Sequence, residues 1–218
     1  MILKEFKVLF FKALSEIYPR TEIDTFFFLV IEEYLGLQRI DTVLKPDFNI
    51  DEKKLQVLKK LIEKLQKEKP IQYIIGKTEF YGSPFFVNEH VLIPRPETEE
   101  LIEWILKEVK RKEKGKNLSI LDIGTGSGCI SISLKKNLPN ALVSAIDVSK
   151  EALEVAKKNA ELNNIEINFL IKDILKTNTL DQQFDIIVSN PPYVRELEKQ
   201  EIKNNVLQNE PHLALFVD

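Results

Sequence analysis

Cysteine and histidine are both scarce in this chain of 218 residues, which contains one cysteine, Cys129, and two histidines, His90 and His212. A single cysteine cannot form a disulfide within the chain, and its scarcity is typical of a reducing compartment, so we predict a cytoplasmic location. We expect Cys129 to be a small buried side chain rather than a nucleophile. The two histidines lie far apart, without cysteines or acidic clusters at ligand spacing, and this argues against a structural metal site.

Long apolar runs are missing as well. Charged residues interrupt the stretch Met1–Lys7 too early for a secretory signal, and no apolar run is long enough to span a membrane, so we expect no membrane attachment. The apolar fraction of 44% and the charged fraction of 30% are typical of soluble globular proteins. A net charge of -3 provides no overall attraction to nucleic acid. Direct nucleic-acid binding is therefore not expected, although a local basic face stays open.

Residues 1–69 carry apolar side chains at helical spacing and predict a small helical bundle. The first helix is expected to stop at Pro19, the second to be capped by Thr21 and ended by Gly36, and the third to begin near Asp51. Because this segment contains no group of catalytic side chains, we predict a domain for substrate recognition.

Residues 70–93 lack the helical spacing of the preceding segment and instead contain short β-prone runs broken by glycine and proline. The runs are Tyr73–Ile75, Phe80–Tyr81 and Phe85–Val87, and they predict a β-hairpin linker. The next segment, Pro94–Glu99, is expected to open a helix that continues through Trp104 and ends near Gly115, since acidic side chains favour a helix amino terminus.

Strands and helices alternate in the remaining part of the chain, residues 94–218. The sequence predicts strands at residues 118–123, 142–146, 167–171 and 186–188, and helices at residues 129–138 and 150–163. Such alternation is typical of parallel βαβ units. The predicted fold class is therefore α/β, a Rossmann-like sheet preceded by a small helical bundle and a hairpin.

The stretch Phe184–Ser189 is an apolar strand that ends in Asn190, Pro191, Pro192 and Tyr193. We predict that it is buried on both faces, and the two prolines prevent its continuation as a paired strand. The Asn190 side chain and the Pro191 carbonyl then form a rigid pair of acceptors beside the Tyr193 ring, at the edge where open α/β sheets bind ligands. Such a pair suits an NH2 group with a conjugated lone pair and favours nitrogen methylation. A plain turn with a packed tyrosine is the alternative.

A glycine loop, Gly124, Thr125, Gly126, Ser127 and Gly128, follows the first strand of the sheet and opens a helix. Its glycines permit positive φ and close approach of a ligand to the backbone. Amides at the helix start can hold an anionic group, such as an amino-acid carboxylate. The alternating spacing differs from the dinucleotide fingerprint and argues against a nicotinamide-dependent oxidoreductase. A purely structural turn is the alternative.

Two further strands of the predicted sheet end in aspartates. Asp147 lies about twenty residues beyond the glycine loop, the position from which ribose hydroxyls are usually held. Asp173 ends the next strand and is a candidate for the amino group of adenine, with Ile174 and Leu175 as apolar walls. Either carboxylate could instead cap a helix or stabilise a turn.

Six motifs are distributed over nearly the whole chain. They are Pro70–Gly76, Glu79–Gly82, Val91–Glu99, the glycine loop, Phe184–Tyr193 and Glu210–Leu215. Together they closely resemble the HemK-type peptide chain release factor N5-glutamine methyltransferases, and Pro94–Glu99 is the most specific of them because generic methyltransferases lack it. The resemblance implies a class I methyltransferase fold.

The resemblance also implies a donor, an acceptor and a partner. The donor would be S-adenosylmethionine, bound by the glycine loop, Asp147 and Asn190. The acceptor would be the glutamine of a release factor's Gly-Gly-Gln motif, with its amide held by Asn190, Pro191, Pro192 and Tyr193. The amino-terminal helices would bind the release factor.

The family's sheet continues beyond Leu215, so the methyltransferase domain at residues 94–218 is expected to be partial, with the strand Phe184–Ser189 left as an uncovered edge. Two other functions stay open at this point. One is methylation of an exocyclic amine of nucleic acid, at adenine N6 or guanine N2, because that group is also a conjugated NH2. The other is binding of a partner without catalysis.

Overall fold

The computed structural model describes residues 1–112, 117–180, 182–195 and 204–217. The chain forms two compact units, Met1–Ile75 and Gly76–Asp218, each with its own hydrophobic core. The predicted boundaries after residues 69 and 93 and the predicted roles of the three segments stay predictions. Within the described ranges, none of the helices combines the length and apolar character needed to cross a membrane.

The first unit is helical, and its core is rich in phenylalanine. Its helices are α1 (Leu3–Leu14), α2 (Arg20–Leu35), α3 (Asp41–Leu44), α4 (Glu52–Gln66) and α5 (Ile71–Ile75). The Phe27 ring lies 6.1 Å from Phe6 and 5.6 Å from Phe10, measured between ring centroids, and all three side chains are fully buried. Buried rings at these spacings contribute both apolar area and edge-to-face contacts, so they hold α1 against α2.

Two of the four boundary residues predicted for this unit, Gly36 and Asp51, lie at helix ends as predicted, and α1 ends at Leu14, before the predicted stop at Pro19. Gly36 ends α2 with φ +68, and the Asp51 side chain caps α4 by accepting from the Lys54 amide at 2.9 Å. The prediction that Thr21 caps α2 was wrong, because α2 already begins at Arg20 with Pro19 as its cap. Pro19 has no N–H that needs a partner, so the chain can turn at that residue and Thr21 lies within the first helical turn.

The predicted strand at Tyr73–Ile75 was also wrong, since these residues belong to α5. The amides of Tyr73 and Ile74 donate to the Pro70 carbonyl, and the Tyr34 hydroxyl donates to the Ile74 carbonyl at 3.3 Å. A short apolar run does not reveal by its periodicity whether it is helix or strand. Packing against α2 decides in favour of the helix here.

The second unit begins with a hairpin, followed by a helix and an alternating series of strands and helices. Its elements are β1 (Lys77–Phe80), β2 (Ser83–Phe86), α6 (Pro96–Lys112), β3 (Ser119–Ile123), α7 (Cys129–Asn137), β4 (Leu142–Asp147), α8 (Lys150–Leu162), β5 (Asn168–Ile171), a 3-10 turn (Ile174–Lys176), β6 (Ile186–Ser189), β7 (Val194–Arg195), α9 (Asn204–Asn209), α10 (His212–Leu215) and β8 (Phe216–Val217). The predicted end of α6 near Gly115 lies outside the described residues.

A parallel sheet with strand order β5-β4-β3-β6 forms the centre of this unit. The chain adds β4 and β5 on one side of β3 and then crosses to add β6 on the other side. The predicted α/β class is confirmed by this topology. The sequence order reverses between β3 and β6, and ligands bind open parallel sheets at such switch points.

Strand β6 departs from its prediction in one respect. It was expected to be buried on both faces, but Val188 is 4% exposed while the adjacent Ile187 is 57% exposed. Among the described residues β6 pairs with β3, and the expectation of an uncovered edge stays a prediction. Its long apolar run therefore has one face in the core and one face open to solvent.

Candidate active site

The glycine loop and Asn190 meet at the switch point of the sheet. The strand register places Ile123, the last residue of β3, opposite Ser189, the last residue of β6. The Ser189 hydroxyl donates to the Ile123 carbonyl at 2.8 Å and ties these two strand ends together. The loop that follows β3 and Asn190, which follows β6, therefore lie at the same edge of the sheet, where open parallel sheets form their ligand-binding crevice.

The glycine loop has the backbone conformation that its sequence predicts. Its glycines, Gly124, Gly126 and Gly128, have φ values of +71°, +54° and +79°. A Cβ at Gly128 would lie 3.0 Å from Ile132 Cδ1 and 3.2 Å from Ala156 Cβ, so α8 approaches the loop as closely as a glycine allows. The third glycine is thus required by packing as well as by its positive φ.

Several loop amides are already used inside the protein. The amides of Gly124 and Thr125 donate to the Ile146 carbonyl at 2.9 and 3.1 Å, and the Gly128 amide donates to the Thr125 carbonyl at 2.8 Å. These contacts tie the loop to β4 and fix its shape. The expectation that loop amides bind a carboxylate therefore does not extend to these three donors.

Cys129 begins α7 directly after the loop. It is 8% exposed, and burial raises the pKa of its thiol to about 12. A thiol with this pKa is not a thiolate at neutral pH, and the side chain packs in the core as the sequence led us to expect.

Asp147 fixes the middle of the glycine loop. Its Oδ2 accepts from the Gly126 amide at 2.8 Å, and its Oδ1 accepts from the Ser149 amide at 2.9 Å. A carboxylate has about four acceptor positions, so both oxygens can also accept from the hydroxyls of a ribose. The position is the predicted one at the end of β4, and the ribose contact stays a prediction.

Replacing Asp147 by alanine should weaken binding of S-adenosylmethionine by about 1–3 kcal/mol, because the ribose loses a charged acceptor and the loop loses its anchor. Calorimetric titration of the donor into the folded variant measures the change. Unchanged affinity in a folded Asp147→Ala variant would remove Asp147 from the site. Asp173→Ala, measured in parallel, tests the second aspartate in the same way.

Asp122, which the sequence did not single out, lies fully buried beneath the loop. Its Oδ2 accepts from the Thr125 hydroxyl at 2.6 Å and from the Ser131 amide at 3.2 Å, while its Oδ1 has no partner among the described residues. Burial raises the pKa of this carboxyl to about 6, the nearby charge of Asp147 adds to the rise, and the hydrogen bonds from Thr125 and Ser131 oppose it. The side chains of Thr125 and Ser127 are themselves buried. If these residues contact S-adenosylmethionine, as predicted, they can do so only through their backbone.

Asp122 should make stability depend on pH in the mildly acidic range. Its pKa of about 6 in the folded protein exceeds the ordinary value of 3.8, so its contribution to stability is present below the lower value and is lost as the pH rises through the higher one. Between about pH 4.5 and about pH 7.5 the wild type should therefore lose about 1–3 kcal/mol of its free energy of unfolding through this carboxyl. The Asp122→Asn variant should not show that loss, because its amide does not ionise. Urea unfolding of both proteins at the two pH values measures it. If the unfolding free energies of wild type and Asp122→Asn differ by the same amount at both pH values, the assignment is contradicted. It is also contradicted if the surface variant Asp47→Asn shows the same change with pH as Asp122→Asn.

Asn159 of α8 is a second residue that the sequence analysis missed. Its Oδ1 accepts from the Phe86 amide at 2.6 Å, and its Nδ2 donates to the carbonyls of Phe86 at 3.0 Å and Ser127 at 2.8 Å. The side chain is fully buried and joins the hairpin, α8 and the glycine loop. The available signal was a polar residue in the apolar stripe of α8 formed by Ala152, Val155, Ala156 and Ala160.

Asp173 caps the 3-10 turn that follows β5. Its Oδ1 accepts from the Leu175 amide, and its Oδ2 forms an ion pair with Lys176, each at 3.0 Å. The hydrogen bond from Lys176 lowers the pKa of this carboxyl below its usual range. Ile174 is half-buried, whereas Leu175 is 93% exposed and forms no wall with the described residues. The turn role is thus visible in the structure, and the contacts of Asp173 and Ile174 with the donor stay predictions.

The Asn190 side chain is held by a residue of α6. Its Nδ2 donates to the Thr98 hydroxyl at 3.3 Å, and Thr98 is 7% exposed. The Tyr193 ring is 63% exposed, so it is not the packed tyrosine of the plain-turn alternative. Pro191 is exposed and Pro192 half-buried. The structure thus brings the Pro94–Glu99 motif to the Asn-Pro-Pro-Tyr motif, which the sequence alone had left unconnected.

Comparison with protein families identifies two domains in the chain. Residues 101–213 match the Methyltransferase small domain, and residues 10–76 match the PrmC N-terminal domain. The first match covers the parallel sheet with its glycine loop and the Asn190 turn. Fold and match together define the class of the protein as a methyltransferase.

Curated relatives make the assignment more specific. The release factor glutamine methyltransferase of Flavobacterium psychrophilum is 57% identical over 218 residues, which are 100% of this chain and 76% of that protein. The one from Bacteroides thetaiotaomicron is 46% identical over 207 residues, 94% of this chain and 73% of that protein. The chain belongs to the release factor glutamine methyltransferase family, and the resemblance drawn from its motifs is confirmed.

One solved structure with a related arrangement is a SAM-dependent methyltransferase from Agrobacterium tumefaciens. It aligns with a TM-score of 0.44 and 23% identity over 53% of this chain and 39% of that chain. The fold assignment above rests on the strand order of this protein itself.

Proposed function

We propose that this protein transfers a methyl group from S-adenosylmethionine to the side-chain amide nitrogen of the glutamine in the Gly-Gly-Gln motif of a peptide chain release factor. The observation that carries the proposal is the position of Asn190 at the switch point, opposite the glycine loop. An acceptor for an amide N–H and a loop suited to the donor thereby share one cleft. Membership of the release factor glutamine methyltransferase family supports the same substrate.

The residues around the cleft fit the donor. The three glycines of the loop have no side chains that could cover the strand ends, so a ligand can approach the backbone there. Asp147 stands at the end of β4, the strand next to the loop, where α/β sheets hold ribose hydroxyls. When bound, S-adenosylmethionine supplies an electrophilic methyl group on a sulfonium ion.

The protein's contribution to the reaction is orientation of the substrate amide. Asn190 Oδ1 and the Pro191 carbonyl accept the two N–H bonds of the glutamine side chain, and Tyr193 packs against its planar amide. This fixes the nitrogen with its lone pair directed at the methyl carbon, so most of the acceleration comes from alignment and preorganised dipoles. The bound donor would supply the methyl group to this nitrogen and keep the electron pair of the broken carbon–sulfur bond on its sulfur. The methylated nitrogen would then carry the positive charge, and one of its protons would pass to solvent.

The release factor is proposed to dock on the helical unit, in the cytoplasm. The support is an apolar surface on that unit, where Ile40, Val43 and Leu44 at α3 are 55%, 74% and 68% exposed. Exposed apolar side chains in one place are typical of interaction sites. Remote contacts of this kind would offset the entropy of positioning a flexible Gly-Gly-Gln loop.

The test is methyl transfer to three classes of acceptor, measured as the gain in intact mass. The chain and S-adenosylmethionine are mixed with an intact release factor, with a short Gly-Gly-Gln peptide, and with duplex DNA or ribosomal RNA, each at two salt concentrations. We expect efficient transfer to the release factor and poor transfer to the peptide, which lacks the part of the release factor proposed to dock on the helical unit. Nucleic-acid methylation that weakens steeply with salt, with none on the release factor, would instead identify a nucleic-acid amine methyltransferase.

A calorimetric titration of the donor separates catalysis from partner binding alone. Binding of S-adenosylmethionine is expected for the enzyme. A chain that binds the release factor but not the donor would be a binding module.

A further inference from the structure

The two ends of the Asn190 side chain are chemically opposite. An asparagine amide offers an acceptor oxygen at one end and two donor N–H bonds at the other. The substrate's NH2 group is a donor, so only the oxygen of Asn190 can receive it. If the amide turned over, two donors would face each other and the substrate nitrogen would lose its alignment. The orientation of this side chain therefore decides whether the cleft can hold a glutamine.

Thr98 contacts the nitrogen end of that amide. Asn190 Nδ2 donates to the Thr98 hydroxyl oxygen at 3.3 Å, so Asn190 Oδ1 is the end left for a ligand. Thr98 is 7% exposed, and a contact shielded from water in this way is not easily replaced by solvent.

Thr98 itself is held in place by contacts of Arg95, just before α6, and of Glu99, in its first turn. Arg95 forms an ion pair with Glu210 at 2.7 Å, and the Glu210 side chain is 1% exposed. Glu99 Oε1 accepts from the Tyr81 amide at 2.8 Å, and the Thr98 amide donates to the Arg95 carbonyl at 3.0 Å. The turn is thereby tied to the hairpin and to the segment before α10, and its hydroxyl is held at a defined place.

We infer that Thr98 is a positioning residue for the methyl acceptor: its hydroxyl anchors the Asn190 side chain with Oδ1 toward the substrate amide. The inference rests on the proposed function, because it concerns how the same cleft holds glutamine. Without the hydroxyl, the Asn190 amide loses its anchor, and Oδ1 is no longer held where the substrate N–H must reach it.

The test compares Thr98→Val, which removes the hydroxyl at nearly constant shape, with Thr98→Ser, which keeps it. Thr98→Val should lower kcat for release factor methylation about 3- to 10-fold, the loss associated with one neutral hydrogen bond, with the KM for the donor unchanged. Thr98→Ser should recover most of the rate. The control is Thr78→Val in the hairpin, whose hydroxyl makes a solvent-exposed contact with the neighbouring backbone carbonyl of Glu79.

A fall in kcat with an unchanged KM for the donor, recovered by Thr98→Ser, is not expected of a purely structural role. Thermal melting of each variant confirms folding, and Thr98→Ala takes the place of Thr98→Val if the valine variant melts early.

The outcomes separate the two proposals. If wild type methylates the release factor and Thr98→Val matches it in kcat, the role of Thr98 is refuted while the proposed function stands. If wild type methylates no release factor, the proposed function fails, and the role of Thr98 fails with it.

Discussion

Replacing Asn190 by alanine should reduce the rate of release factor methylation about 10²- to 10³-fold, because the substrate amide loses the acceptor that aligns its nitrogen. Donor affinity should change much less than kcat, since the glycine loop and Asp147 are the main contacts proposed for the donor. The fold should survive because Asn190 is half-buried and follows the end of β6, so it adds little to the core. Single-turnover kinetics with the intact release factor measures the chemical step directly.

The matched control for this prediction is Asn140→Ala. Asn140 is exposed in the turn between α7 and β4, at the opposite end of the strands from the cleft, and its replacement should leave the rate unchanged. An Asn190→Ala protein that melts like wild type and keeps near-normal turnover would refute the proposed mechanism.

Replacing Asn159 by alanine should lower the free energy of unfolding of the second unit by about 2–4 kcal/mol. The reason is that the Phe86 amide and the carbonyls of Phe86 and Ser127 lose their partner at a fully buried position. Urea unfolding, followed by the fluorescence of Trp104, measures the loss, since this single tryptophan lies in α6 of the same unit. Donor affinity should fall too, because the loop is released at Ser127.

Asn163→Ala is the control on the same helix. Asn163 Nδ2 donates to the Pro84 carbonyl at 3.0 Å, in a contact exposed to solvent, and to the Asn159 backbone carbonyl at 2.9 Å, in a partly buried one. Its replacement should cost about 1–2 kcal/mol, less than that of the fully buried Asn159. Equal losses for the two asparagines would mean that burial at Asn159 does not govern its contribution.

The elements of the sheet were predictable to within a residue or two. Strands β3 to β6 and helices α7 and α8 lie where the sequence predicted them. The signals were the alternation of apolar runs and the glycine and proline residues between those runs. Local signals were sufficient there because each strand is short, apolar and bounded by turn residues. The α/β class and the family followed from the same segments.

Elements without such boundaries were predicted poorly. The run Tyr73–Ile75 is helical because Tyr34 and the carbonyl of Pro70 provide its hydrogen-bond partners, and neither contact is visible in a short apolar run. Ile187 is exposed although its neighbours in the chain are apolar, because the elements packed on each face of the sheet, and not the strand's own sequence, decide which of its side chains are covered.

The sequence by itself determined the strands, the glycine loop, the Asn-Pro-Pro-Tyr turn and the family, because each of these depends on residues that are adjacent in the chain. The tertiary structure decided which distant residues support them. Thr98 meets Asn190, Asn159 meets Ser127, and Arg95 meets Glu210 only after the sheet and helices have packed. A hydrogen bond between residues far apart in the chain depends on where folding brings two backbones together, and no local pattern encodes that distance.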